Sequence, residues 1–315
     1  MHAFPGVIFL FSLFLHGCSP ILAQKAQRTP TKIAVTATPV SVMEMTAIPK
    51  IRLVDGAELS NNRPGEPRGE TQVINDQSSV STASQKKAFG GDEYFLGRLE
   101  RPFNQLMEYL PALDIVRADL NRPGDNWLYF SIQVEGDLSP HPAVYGIELD
   151  LDIDGRGDLL VQALAPTSKD WAEDEIKTWW DSDGDVGGKL IGRSDSRLYQ
   201  GSGFETLKID SAAGRTPGKV WSRLSSTSTH ILQIAILEEL IGGEKGKFSW
   251  KPYTDGVPFP PSQYDLNDYY PLNQAGSPIL GERDYPLKAV YAVDNTCRKL
   301  SGLYPSGREQ GICPP

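Results

Sequence analysis

Histidine is scarce in this chain: of 315 residues only His2, His16, His141 and His230 carry imidazole. No His/Glu metalloprotease spacing and no nucleophile-elbow motif appears, so histidine-based catalysis has little material. His141 sits between prolines in Ser139-Pro140-His141-Pro142 and His230 opens an apolar run; both read as structural. Gly-rich phosphate loops are also missing, and a net charge of −9 argues against nucleic acid as a partner. Phe, Trp and Tyr are wholly absent from residues 15–88, which excludes an aromatic core there. Cysteine is limited to Cys18, Cys297 and Cys313, an odd count that calls for an explanation in an exported protein.

The chain opens on residues 4–15, almost wholly apolar. That length suits the core of an export signal but falls short of the roughly 20 residues of a membrane-spanning helix. A signal peptide is expected over residues 1–17, with the protein outside the cytoplasm. Leu15-His16-Gly17-Cys18 resembles a bacterial lipobox, whose cysteine becomes the acylated first residue of the mature chain. It departs from that pattern in His16 and in having no Lys or Arg before the apolar run. Two readings stay open: lipidation at Cys18, with the membrane reached through the anchor only, or cleavage after Ala23 and free secretion. If Cys18 is modified, Cys297 and Cys313 remain as a pair, in a compartment where disulfides persist. Closing that loop contributes on the order of 3 kcal/mol by chain entropy; two free thiols are the alternative.

Residues 18–88 are rich in Thr, Ser, Pro, Ala, Gln and Asn and are expected to form a disordered stalk, too poor in apolar surface to offset the entropy of ordering. At Phe89 the composition changes, and every Trp and Tyr lies beyond it. Residues 89–315 therefore read as one mainly β domain. Residues 127–135 alternate with Leu128, Phe130, Ile132 and Val134 on one face, and Tyr145, Ile147, Leu149 and Leu151 repeat the pattern; both read as half-buried strands. Further strands are expected over residues 159–165, 177–180, 205–209, 231–237 and 247–253, separated by Gly, Asp, Pro and Ser. About seven such strands predict an antiparallel β-sandwich or jelly roll. A short helix is expected over residues 103–110, where Phe103, Leu106 and Leu110 would share a face. The region after Tyr253, rich in Pro, Tyr and Asp, reads as a long wrap closed by the cysteine pair.

The chemically suggestive stretch is Asp150-Leu151-Asp152-Ile153-Asp154-Gly155-Arg156-Gly157-Asp158. Ca²⁺ takes about six to eight oxygens, which such a loop supplies from three or four carboxylates and a backbone carbonyl. Asp150, Asp152, Asp154, Arg156 and Asp158 are the candidate ligands. The twelfth position is Val161, where an EF-hand loop carries a bidentate Glu, and the flanks read as strands. The competing reading is a hairpin in which Asp154-Gly155 makes the bend and the other carboxylates face water. Against it stands the repulsion of four crowded carboxylates, which a cation relieves. Asp181, Asp183 and Asp185 form a second, shorter acidic turn, and the two loops could share an ion at one end of the sandwich. Trp171, Trp179 and Trp180 surround it; their faces could stack on a sugar, or they could fill the core. Trp179 and Trp180, being adjacent, point to opposite faces of a strand.

Several stretches together resemble an uncharacterised family of secreted bacterial proteins: Tyr109-Leu110-Pro111, residues 145–158 and 183–188, Ala275-Gly276-Ser277-Pro278, Asp294-Asn295-Thr296-Cys297-Arg298 and residues 305–313. That resemblance brings no activity with it. More distantly, the strand pattern and acidic turn are similar to DOMON and family 9 carbohydrate-binding sandwiches, which bind haem or sugars. A haem of the DOMON kind would draw on Met107, His141 and His230. The leading expectation is a non-enzymatic, Ca²⁺-stabilised surface module binding carbohydrate or another envelope component. The alternatives are an extracellular hydrolase using paired carboxylates and a structural or protein-binding lipoprotein.

Overall fold

The computed structural model describes residues 63–90, 92–93, 97–139, 142–186, 202–243, 246–263, 270, 272–309 and 311–314. The expected signal peptide, Cys18, the stalk up to residue 62 and His141 lie outside them. Among the described residues there are 13 strands: β1 (Thr71–Asn75), β2 (Glu100–Arg101), β3 (Ile115–Asn121), β4 (Trp127–Val134), β5 (Val144–Asp150), β6 (Leu159–Leu164), β7 (Ile176–Trp180), β8 (Thr206–Asp210), β9 (Val220–Leu224), β10 (Ile231–Leu237), β11 (Phe248–Asp255), β12 (Val293–Asn295) and β13 (Lys299–Ser301). They pair antiparallel in two sheets. One runs β1-β3-β4-β10-β9; the other runs β2-β12-β11-β5-β6-β7-β8, with β13 added to β11.

The inward faces of the two sheets share one core. Leu128, Phe130, Ile132 and Val134 of β4 and Leu232, Ile234 and Ile236 of β10 join Tyr145, Ile147 and Leu149 of β5, Val161 of β6 and Trp250 of β11. Phe130 meets Trp250 edge-on across the layer, ring centroids 5.4 Å apart. Burying each such side chain contributes about 1.5–3 kcal/mol, which makes this layer the main source of stability and fixes the sandwich predicted from the alternating segments.

The expectation that β4 and β5 are half-buried is corrected: every residue of β5 is buried, and every residue of β4 except Gln133. Both outer faces are covered. Over the larger sheet, Val186 and Phe204 pack on Val144, Leu160 and Tyr253. Over the smaller one, Trp171 and Trp221 pack on Trp127, Tyr129, Ala235 and Leu237, and residues 63–66 lie across them: the Tyr129 hydroxyl accepts from the Gly65 amide at 2.9 Å and Arg223 binds the Glu66 carboxylate.

The stalk therefore does not extend to residue 88. β1 pairs along its length with β3, Ser79 is buried, and Ala88 packs with Phe103, Met107 and Leu287. The expected helix over residues 103–110 is absent too. Asn104 turns its side-chain oxygen back to accept from the Leu106 and Glu108 amides at 2.9 and 3.0 Å, an alternative to helical bonding. Met107 takes a positive φ of 58°, and Phe103 and Tyr109 bridge to each other. Leu106, expected to share the apolar face, is 70% exposed.

The C-terminal wrap is partly sheet, since β12 and β13 return to β11. Its loop is clamped by buried Arg101, whose guanidinium donates to the carbonyls of Ala275, Gly276 and Val290 and pairs with Asp92. Gly276 has φ +78°, and a Cβ there would lie 2.3 Å from the Pro286 carbonyl oxygen, so only glycine fits the Ala275-Gly276-Ser277-Pro278 stretch. The cysteines are joined as Cys297–Cys313, with Cα atoms 5.0 Å apart.

Candidate functional site

Both acidic stretches are loops at the same end of the larger sheet. The first joins β5 to β6 and the second follows β7. Leu159 pairs with Trp180, and the Asp181 amide donates to the Asp158 carbonyl at 3.0 Å, so the loops run side by side as the sequence suggested.

In the first loop, buried Asp150 accepts at Oδ1 from the Ile153 amide (2.5 Å) and at Oδ2 from the Gly155 amide and the Ser249 hydroxyl (3.0 Å each). Asp158 Oδ2 accepts from the Leu151 amide at 2.5 Å. Burial pushes the Asp150 carboxyl up to about 6 against the opposing charge of Arg298, and burial also raises Asp158. Asp150, Asp152 and Asp158 each offer an oxygen within 4.8 Å of the others'. Asp154 stands apart from this group: it is exposed and lies 4.0 Å from the Arg156 guanidinium. The expected set of four carboxylates is thus three.

Gly157 ties the loop to the interior. A Cβ there would lie 2.4 Å from Cγ of Glu148. Glu148 is buried between Lys251 Nζ, at 3.3 Å, and Arg298. Burial pushes its carboxyl upward, but Lys251 and Arg298 outweigh it and hold it below the usual range. Arg298 also binds the C-terminal tail through its backbone, which accepts from the Cys313 amide at 2.8 Å and donates to the Gly311 carbonyl at 2.7 Å. Loop, ion triad and disulfide form one connected structure.

The second loop is built around Asp181, whose Oδ1 accepts from the Gly184 amide and whose Oδ2 accepts from the Val186 amide, both at 2.8 Å. Burial raises this carboxyl. Asp181 and Asp183 converge with Glu205, again with oxygens within 4.8 Å. Asp185, expected as the third carboxylate, instead accepts from the Ser202 and Gly203 amides at 2.6 and 2.9 Å. Glu205 was readable only as the start of a strand; that this strand pairs with β7 and brings Glu205 back to the loop is a long-range fact. Each acidic group could hold a metal ion, and they form two sets of three rather than one.

The tryptophans divide. Trp180 packs partly against the main core beneath Lys208 (5.6 Å) and Trp179 against the outer cluster, on opposite faces as expected, and neither is fully exposed. Trp171 is not at this site. It lies under Arg223 at 4.3 Å on the outer face of the smaller sheet, its indole donating to the Gly65 carbonyl at 2.9 Å, and serves to hold the N-terminal segment. Met107 is buried in another cluster, and His230 lies near the surface 3.2 Å from Asp137. In comparisons with protein-family models, curated proteins and solved structures, the chain matches none.

Proposed function

We propose that this domain is a non-enzymatic binding module of the cell exterior whose paired acidic loops hold Ca²⁺ and whose ligand is a carbohydrate or another envelope component. The observation that carries this reading is the convergence of two three-carboxylate groups on loops joined by the Asp181–Asp158 backbone bond. Ligands around a shared Ca²⁺ at about 2.3–2.6 Å lie no more than about 5 Å apart, which the 4.8 Å spacing satisfies. Asp152 and Asp183 are exposed, so water or a ligand oxygen can complete the shell. The half-buried Trp180, one residue from Asp181, supplies an aromatic face of the kind that stacks on sugar rings, in keeping with the resemblance to carbohydrate-binding sandwiches. The disulfide and the lipobox-like start support export and anchoring.

Calorimetric titration with Ca²⁺ and a glycan array on the purified chain test the two halves separately. A fall of two in the number of Ca²⁺ ions bound per chain in Asp152→Asn together with Asp183→Asn supports the loops as cation sites, and an unchanged number removes them. A blank array with Ca²⁺ binding intact removes the sugar and turns the reading toward a protein-binding role. Mass spectrometry of the mature N-terminus tests the anchor: an acylated Cys18 is expected, and an unmodified start at Gln24 removes it.

A further inference from the structure

Among the described residues, a buried cluster of four carboxylates lies away from both loops, where the two sheets meet. Asp76 follows β1, Asp114 precedes β3, Glu100 lies in β2 and Asp294 in β12, paired in register with Glu100. Glu100 is 1% exposed, and Asp114 and Asp294 are 0% exposed. One oxygen of each is satisfied. Asp76 Oδ1 accepts from Arg98 at 2.7 Å, Glu100 Oε1 from the Ser79 hydroxyl at 2.8 Å and Asp294 Oδ2 from the Ile115 amide at 2.6 Å. Asp114 Oδ2 accepts from the Ser79 amide at 2.8 Å and the Tyr109 hydroxyl at 2.5 Å. The other oxygen of each, Asp76 Oδ2, Glu100 Oε2, Asp114 Oδ1 and Asp294 Oδ1, is buried without a hydrogen-bond partner.

We propose that Asp76, Glu100 and Asp294, with Asp114 at their edge, form a buried Ca²⁺-type cation site that pins the two sheets together. Three of the carboxylates offer oxygens within 4.8 Å of one another, the spread that ligands around one such ion allow. Buried carboxylates are normally paired or metal-bound, and the ion pair in this cluster is Arg98 with Asp76. A cation at the centre answers the unpartnered oxygens together, whereas protons answer them one at a time. Enclosure favours Ca²⁺ over Mg²⁺, which keeps several waters of its own. In support, burial and then the neighbouring carboxylates push Glu100 up to about 8 and Asp294 well above its ordinary range, so the group does not hold its charge unaided. The ion would join strands of the smaller sheet to strands of the larger one, and the N-terminal strand to the C-terminal segment. This site is independent of the loops.

The test is equilibrium dialysis of the full chain with radioactive Ca²⁺, in a background carrying Asp152→Asn and Asp183→Asn to silence the loops. One ion per chain is expected to remain and to be lost on adding Glu100→Gln. No remaining ion, or an ion indifferent to Glu100→Gln, overturns the proposal. Should Glu100→Gln fail to fold, Asp76→Asn, whose side chain is 1% exposed and already paired with Arg98, takes its place: at least a tenfold loss of affinity supports the site, and unchanged affinity overturns it.

Discussion

The acidic loops and the buried cluster use the same side chains in opposite circumstances. In the loops, the backbone itself satisfies the carboxylates: Asp150 takes the amides of Ile153 and Gly155, and Asp181 those of Gly184 and Val186. Such turns keep their shape with or without an ion, and binding there adds to a frame already built. In the cluster of Asp76, Glu100, Asp114 and Asp294, one oxygen of each residue has no partner and no access to water. The lesson is that a conspicuous acidic motif is not necessarily where neutralisation matters most for the fold. Glu148 provides the third case, a buried carboxylate neutralised by the protein's own Lys251 and Arg298.

The largest effect that sharpens this comparison is expected at Glu148. Arg298→Met leaves its carboxylate buried with one cation fewer, and breaking a buried pair from one side costs about 3–5 kcal/mol. Urea unfolding should show that loss equally in Ca²⁺ and in chelator, because protein cations rather than metal neutralise this acid; a loss seen only in chelator would break the distinction.

Asp255 comes next, a buried acid outside all three acidic groups. Burial pushes it up to about 7 from an ordinary 3.8, with the Val257 amide opposing. A carboxyl raised in the folded state contributes stability in full below its unfolded value, and that contribution is lost as pH rises through the folded one, here between about 4 and 7. Asp255→Asn should therefore gain on the parent chain as pH rises across that window, by on the order of a few kcal/mol at its upper end. Unfolding midpoints at the two ends check this; a constant difference between the chains would contradict it.

The smallest effect belongs to the loops. Glu205→Gln removes one charge from the second group and should weaken Ca²⁺ binding there by about tenfold while leaving the unfolding midpoint in chelator unchanged. Titration calorimetry and a thermal scan measure the two quantities, and a large fall in the midpoint would place the loop among the elements that hold the fold.

The strands of the central layer were legible because their alternation survives: Leu128 to Val134 and Tyr145 to Leu149 face one core. β3 was hidden because a register shift between Ile115 and Arg117 breaks the period of two, leaving Ile115 and Ala118 both buried in the core three residues apart. β9 was hidden because a buried Ser222 stands where an apolar residue would mark the inward face. β1 escaped notice because its neighbours are polar and Ile74 alone of its residues enters the core. At the site, a local motif was readable and a long-range one was not. Asp150, Asp152 and Asp158 share nine residues of chain, but Asp76 and Asp294 come together only through the sheets. Asp294-Asn295 stood out within a recognisable stretch, yet nothing local tells that its carboxylate is buried against Glu100.

The most direct measurement is the Ca²⁺-dependent shift of the thermal unfolding midpoint in two variants of the full chain, one with the loops silenced by Asp152→Asn and Asp183→Asn, the other carrying Glu100→Gln. An ion bound well above its dissociation constant raises the midpoint of a domain this size by roughly 5–10 °C. The loop-silenced chain should keep most of that shift and Glu100→Gln should lose most of it. The reverse pattern would contradict the account, placing the stabilising cation in the loops and leaving the buried carboxylates to protons.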